Sequence, residues 1–362
     1  MMDKYEILHD MNILGLMSGT SLDGVDLALC HIDEKGYSIE AAQTVSYPAE
    51  WRQRLSTLEH VSAVDYVKSH VELGHFYGRI INDFVQSNNL QVDAVASHGH
   101  TIFHQPERGF TAQIGDGDAI AAETGLLVVS NFRALDVALG GQGAPLVPIG
   151  DEMLFGDYDA CLNLGGIANI SYRVDGKRIA YDVCPCNMAL NRLAAELGFD
   201  YDKDGENARR GLLDYYLNET LNCIEYYHIA PPKSLGKEWF VETFWPVVET
   251  SSLSVVDKLR TVTQHIAVQI ADVLSRNGIG RVLATGGGAL NRFLIKCIAA
   301  EAPSVGITVP DELIVNYKEA LIFALLGYLR LGGKVNTLSS VTGARCNSVG
   351  GDVCGIVPRR CI

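Results

Sequence analysis

The sequence predicts a two-domain α/β protein in which a strand, a glycine turn and a second strand recur, once in each half. Three observations predict it. Residues 12–30, NILGLMSGTSLDGVDLALC, read as two apolar strands (13–17 and 25–30) around a turn of small and hydroxyl residues. Residues 159–174, DACLNLGGIANISYRV, repeat that outline around Gly165-Gly166. Between them, Asn131 to Asp136 leads into Gly140-Gly141-Gln142-Gly143-Ala144-Pro145, the strongest break in the chain. The expected domains are therefore 1–134 and 135–362, with the C-terminal tail free to return to the first.

Length and composition agree. A chain of 362 residues exceeds most single cores, and 48% hydrophobic residues with 36 glycines suit a loop-rich α/β enzyme. A formal net charge of -14 argues against nucleic acid and anionic membranes as partners. Residues 1–12 lack the basic start and apolar run of a signal peptide, and no apolar run approaches the roughly 18 residues of a membrane span. The nine cysteines are odd in number and form no CxxC pair, so a reduced, cytoplasmic protein is expected.

Each element has its own argument. The first turn, Gly19, Thr20, Ser21, Leu22, Asp23 and Gly24, runs into Val25 and Asp26. Glycines free backbone N–H groups for a close ligand, hydroxyls add donors, and carboxylates suit hard cations. Such a turn can cradle phosphate, although it is no Walker motif, and an ordinary hairpin is the competing reading. Residues 38–47 read as a strand, and 50–88 carry helical periodicity. The strand 91–97 ends in a histidine trio, His98, His100 and His104. Zinc is conceivable there, but a polar site at a strand's carboxyl end fits the sequence better. A helix follows Asp116, then a strand at 126–130, then Arg133 at the boundary, either lining a cleft or facing solvent. In the second half Asp182 closes the strand KRIAYDV; catalysis competes with helix capping, for which Asn187 is better placed. Residues 200–205, DYDKDG, resemble half of a calcium loop, but its twelfth position is Gly211 rather than glutamate. Gly286, Gly287 and Gly288 stand between a strand at 281–284 and a helix from about Leu290, which suits an anion or nucleotide. A last helix, 319–330, would place Glu319 in its first turn.

Several of these stretches resemble the anhydro-N-acetylmuramic acid kinase family: GLMSGTSLDGVD (15–26), SHGHTIFHQP (97–106), QIGDG (113–117), NFRALDVALGGQGAPLVP (131–148), LNLGGIANI (162–170) and ATGGGALN (284–291). The similarity runs in the family's order through nearly the whole chain. It implies a two-domain duplicated actin-like ATPase (ribonuclease H-like) fold with an interdomain cleft. It also implies an enzyme using ATP and Mg2+ that opens the 1,6-anhydro ring with water and phosphorylates the released six-position oxygen, in peptidoglycan recycling. By motif, residues Gly19 to Asp26 would contact ATP phosphates, Gly165 and Gly166 would form the opposing turn, and Gly286 to Gly288 would lie by the nucleoside. Asp182 would be the catalytic carboxylate, and His98, Arg133 and Glu319 would line the sugar site. The family commonly follows its aspartate with Thr-Gly-Pro-Gly-Asn, whereas this chain has Val183-Cys184-Pro185-Cys186-Asn187, placing residues that resist positive φ where glycines stand. Homodimerisation is common in the resembling family. Two other functions stay open: a conventional sugar kinase acting on a free hydroxyl, and a non-catalytic actin-like ATP-binding switch.

Overall fold

In the computed structural model, residues 10–19, 22, 24–33 and 36–355 are described. The strands, in chain order, are β1 (Met11–Ser18), β2 (Gly24–Ile32), β3 (Tyr37–Ser46), β4 (Ala94–Ser97), β5 (His100–Gln105), β6 (Phe110–Ile114) and β7 (Leu127–Ser130). They continue as β8 (Ala160–Leu164), β9 (Ile167–Val174), β10 (Lys177–Pro185), β11 (Arg281–Thr285), β12 (Gly306–Thr308) and β13 (Asp352–Cys354). The chain divides into two compact units, unit 1 being Met1–Leu154 with Tyr317–Ile362 and unit 2 being Phe155–Asn316.

Unit 1 is built on a sheet ordered β13-β7-β4-β1-β2-β3. β1, β2 and β3 form an antiparallel meander, while β4 and β7 join β1 in parallel. β1 is apolar through its middle because both its faces are covered: Ile13, Leu14 and Leu16 are fully buried. The helical stretch that the sequence suggests over 50–88 is two helices, Ala49–Thr57 and Ala63–Ser87. Ser62 starts the second by accepting from the Asp65 N–H, while its hydroxyl donates to the Asp65 carboxylate, a reciprocal cap.

Unit 2 has a sheet ordered β10-β9-β8-β11-β12. Here too an antiparallel meander (β8, β9, β10) is followed by two parallel strands, β11 and β12. Counted within each sheet, both run 3-2-1-4-5, the ribonuclease H-like order, with β13 added to the unit 1 sheet as a sixth strand antiparallel to β7, so the protein has the duplicated two-domain actin-like fold. The helix Val255–Arg276 seals this second core with Leu259, Val262, Ile266 and Ile270, all without solvent exposure.

The units divide at Leu154/Phe155 and Asn316/Tyr317, whereas the sequence suggests 134/135. The helix after the glycine run accounts for the shift. That helix, Val147–Leu154, is fastened to unit 1 by the buried ion pair Asp151–Lys318 at 2.6 Å, and Gly150 lies directly on Ile322. The glycine run itself is pinned within unit 1: Gly143 N–H donates to Asp136 at 2.7 Å, and Gln142 N–H to the Thr342 carbonyl at 2.8 Å.

Candidate active site

Unit 1 gathers the first turn, Asp26, His98, Arg133 and Glu319. β1 ends at Ser18, and the chain reverses so that Ser18 faces Val25 across the pair. Leu22 sits at φ 62, a left-handed conformation that a non-glycine residue adopts at a cost and that clusters at ligand sites. Val25 is fully buried, so only its backbone is available to a ligand. Thr20, Ser21 and Asp23 lie outside the described residues. Asp26 is half-buried and accepts from Thr44 Oγ1 at 2.6 Å.

Glu319 comes to this place on the helix Glu312–Leu331. Asp311 starts that helix by accepting from the Ile314 N–H at 2.9 Å, so Glu319 lies two turns in rather than in the first turn. A helix-dipole role for it therefore lapses. The helix crosses β1 where β1 has no side chain: a Cβ on Gly15 would run into the Ala320 carbonyl, and one on Gly327 would sit 2.6 Å from the Ala96 methyl. Glu319 keeps solvent access while protein atoms crowd it. Loss of surrounding water raises its carboxyl; Arg133 and Lys318 pull it down, and Asp26 pushes it up.

Arg133 is clamped. Its Nε and Nη2 both donate to His98 Nε2, at 3.0 and 2.9 Å, and Nη1 donates to the Gly143 carbonyl at 2.7 Å. Burial lowers its pKa to about 10, with Glu319 acting the other way, so it remains a cation at neutral pH. His98, itself buried, is held well below the usual imidazole range by burial and by the Arg133 charge. It is neutral, with its proton on Nδ1.

The other two histidines of the trio are elsewhere, and the three do not converge on a metal. His104 Nδ1 meets Thr111 at 3.0 Å. His100 Nδ1 meets Ser18 Oγ at 2.9 Å, which meets Tyr47 at 2.7 Å, which meets Tyr77 at 2.7 Å. This buried chain below Ser18 is invisible in the sequence, since its members lie far apart, at residues 18, 47, 77 and 100. Burial takes His100 down to about 4, so it too is neutral.

Unit 2 gathers the rest. Gly165-Gly166 joins β8 to β9, and the start of the helix Asn187–Glu196 is tied to it. Asn187 N–H donates to the Gly165 carbonyl at 3.1 Å and Cys186 N–H to the Gly166 carbonyl at 2.9 Å. The Asn187 amide donates to the Leu164 carbonyl at 2.9 Å rather than capping the helix, whose N-cap is Cys186. The glycine triplet lands on the same spot. Gly286 takes φ 79 with Leu164 beneath it, and a Cβ on Gly288 would lie 2.8 Å from the Leu164 carbonyl oxygen and 3.0 Å from Asn187 Oδ1. Only glycine permits that approach. The triplet continues as a 3-10 turn, Gly287–Leu290, and the next helix begins at Arg292 with Asn291 as its cap.

Asp182 stands beside this cluster. β10 carries a bulge after Asp182: Asp182 faces Asn169, Cys184 faces Ala168, and Val183 has no partner of its own. Bulges re-aim side chains beside functional sites. Asp182 Oδ2 accepts from the Leu235 N–H at 2.8 Å, and Tyr226 donates to its carbonyl at 2.7 Å, which leaves Oδ1 outside the Leu235 bond. Burial raises its carboxyl, opposed by the Leu235 N–H. The residues that replace the family's glycines need no left-handed backbone. Positions 183–186 take no positive φ, and Cys184 and Cys186 fill the core with no exposure. The calcium-like loop is occupied internally: Asp202 accepts from Asn207 N–H and Ala208 N–H at 2.9 Å each.

Known proteins resemble this chain along almost its whole length. Residues 11–355 match a family model described as anhydro-N-acetylmuramic acid kinase. A protein of that name from Sulfurovum sp. (strain NBC37-1) is 36% identical, covering 94% of this chain and 98% of its own. Another from Francisella tularensis subsp. novicida (strain U112) is 36% identical, covering 94% and 97%. Among solved structures, component A of the Acidaminococcus fermentans (R)-2-hydroxyglutaryl-CoA dehydratase aligns over 90% of this chain and 100% of its own, with a TM-score of 0.47 and 13% identity.

Proposed function

The chain belongs to the anhydro-N-acetylmuramic acid kinase family, and from that premise we propose how its residues carry the reaction. The enzyme is an ATP-dependent kinase that opens 1,6-anhydro-N-acetylmuramic acid and yields N-acetylmuramic acid 6-phosphate and ADP, in cell-wall recycling. The observation that carries the assignment of roles is Asp182: half-buried, raised by burial, and anchored through one oxygen by Leu235.

Water adds to the anomeric carbon and its proton passes to Asp182. The bond from that carbon to the six-position oxygen breaks, and the oxygen takes the γ-phosphoryl group of ATP. A positioned base is worth typically 10²–10⁴-fold. By motif, the first turn and Gly165-Gly166 are the stretches that contact the phosphates, and Gly286 to Gly288 give the nucleoside a surface free of side chains. His98, Arg133 and Glu319 hold the sugar. Arg133 suits the sugar's carboxylate, and Glu319 suits a hydroxyl.

Magnesium fits the donors present. Asp26 and Glu319 are oxygen ligands close enough for one to shift the other, and Mg2+ is usually held by one or two carboxylates together with phosphates and water. Asp26 would hold it, and the ion would supply charge to the β- and γ-phosphate oxygens. Among the described residues no helix is long and apolar enough to cross a membrane, and a cytoplasmic site of action suits both substrates.

Incubation with ATP, magnesium and the anhydro sugar in oxygen-18 water tests the reading by mass spectrometry. Label at the anomeric oxygen of a sugar phosphate is expected. An unlabelled sugar phosphate identifies a conventional sugar kinase, and nucleotide binding without sugar phosphate identifies a switch.

A further inference from the structure

A cavity of about 400 Å³ opens within unit 1 at the carboxyl ends of β4 and β7. Ser97, His98 and Gln113 line it, together with the carboxylates of Asp116, Asp118 and Asp352. Three of these side chains hold a buried polar atom with no hydrogen-bond partner inside the protein: Ser97 Oγ, His98 Nδ1 and Gln113 Oε1. Buried polar atoms are nearly always paired, so three around one cavity mark a place where the partner arrives from outside.

Their neighbours fix what each can do. Gln113 Nε2 donates to Thr101 at 3.3 Å and Thr111 at 2.8 Å, which engages both of its hydrogens and leaves Oε1 as an acceptor. His98 Nε2 accepts from Arg133, so Nδ1 carries the proton and is a donor. The backbone of Ser18 and Gly99 lies near that ring without closing a hydrogen bond to Nδ1. The Ser97 hydroxyl can turn either way. Among its unpartnered atoms the cavity thus presents one fixed acceptor and one fixed donor, beside carboxylates of which Asp116 meets His70 at 3.3 Å and Asp352 accepts from Asn131 at 2.7 Å. It suits a neutral group that gives one hydrogen and takes one, and it repels an anion.

We propose that this cavity receives the acetamido group of the amino sugar, whose N–H donates to Gln113 and whose carbonyl accepts from His98. The sugar's carboxylate then stays outside it, on the Arg133 side of the same ring. His98 reads the substrate with one nitrogen while it holds Arg133 with the other. The inference rests on the function proposed above and extends it to substrate selectivity.

The test compares 1,6-anhydro-N-acetylmuramic acid with an analogue that has a hydroxyl in place of the acetamido group and keeps the lactyl ether. Wild-type enzyme should prefer the N-acetyl sugar by at least about 10²-fold in kcat/KM, since sites built to pair a polar group reject analogues that lack it by up to about 10⁴–10⁵-fold. Gln113→Met should bring the two within a few-fold by weakening only the N-acetyl sugar, with KM for ATP unchanged. A folded Gln113→Met that keeps the preference, or loses both sugars equally, overturns the proposal. Saturation-transfer NMR on wild type needs no variant: the acetyl methyl should receive the strongest transfer of any sugar proton, and the weakest would overturn it. Phosphorylation of both sugars at equal rates sinks this inference and leaves the kinase reading intact. Preferential binding of the N-acetyl sugar with no phosphorylation does the reverse.

Discussion

Ala320 rests on Gly15 with no side chain between them, and Glu319 is the residue just before it in that helix. The glycine is what lets the helix approach β1. Gly15→Ala should therefore push the helix away, at a cost of about 1–3 kcal/mol for overpacking. It should also move Glu319 relative to Arg133. Urea unfolding should show the loss of stability, and KM for the sugar should rise more than KM for ATP. A variant as stable as wild type would mean that the helix slides without penalty.

Arg133 answers two acceptors in a fixed fork, the His98 ring and the Gly143 carbonyl. An ammonium group cannot reproduce that fork. Arg133→Lys should weaken sugar binding at least tenfold in calorimetry and leave ATP binding within about twofold, with a stability loss of about 1–3 kcal/mol from the buried groups left unpaired. Equal weakening of both ligands would move Arg133 out of the sugar site.

Asp182→Asn keeps an oxygen for the Leu235 N–H and removes the base. Melting should change little, and kcat should fall at least 10²-fold. Retention of more than about a tenth of wild-type turnover excludes a base on that scale. Because burial raises this carboxyl, the acid limb of the wild-type kcat profile should lie above the ordinary aspartate range, with activity lost as pH falls through the raised value.

His265 gives a pH signature in unit 2. It is fully buried between Asn222 Oδ1 at 2.7 Å and the Tyr227 hydroxyl at 3.0 Å, and burial takes it down to about 3. The unfolded chain takes up a proton at this ring below its ordinary 6.5, and the folded chain does so only near 3. The ring's contribution is therefore complete above about pH 6.5 and declines as pH drops toward 3, by up to about 1.4 kcal/mol per pH unit. His265→Gln should flatten the pH dependence of unfolding between pH 6 and 4 by up to that slope. An identical slope in both proteins would show that the ring charges in the fold.

The doubled hairpins are legible in the sequence because buried strands and glycine turns announce themselves locally: β1, β2, β8 and β9 stand where the apolar runs and Gly-rich turns suggest. Arg133 and Glu319 are legible as residues but not as a group, since proximity across 186 positions is set by the packing of Ala320 on Gly15. The start of that helix escapes a reading of the sequence because Asp311 follows a proline and looks like loop, although its carboxylate is the cap. The Val183 bulge leaves no mark in composition, yet it lies next to the proposed base. The chain from Tyr77 to His100 leaves no signal at all, because hydroxyls and rings of this kind are also ordinary core residues.

Unit 1 is written in two pieces, and its second piece begins only at Tyr317. A ribosome making this protein N-terminus first therefore delivers β1 early and the helix bearing Glu319 near the end. Unit 2, one unbroken stretch, emerges whole in between. At about 5–20 residues per second, the apolar face of β1 that this helix covers waits roughly ten seconds or more for its cover. Nascent unit 1 is thus the part of this chain with most need of a holding chaperone. A message broken just after the codon for Asn316 would release a polypeptide in which unit 2 is complete and the sugar-side carboxylate of Glu319 was never made.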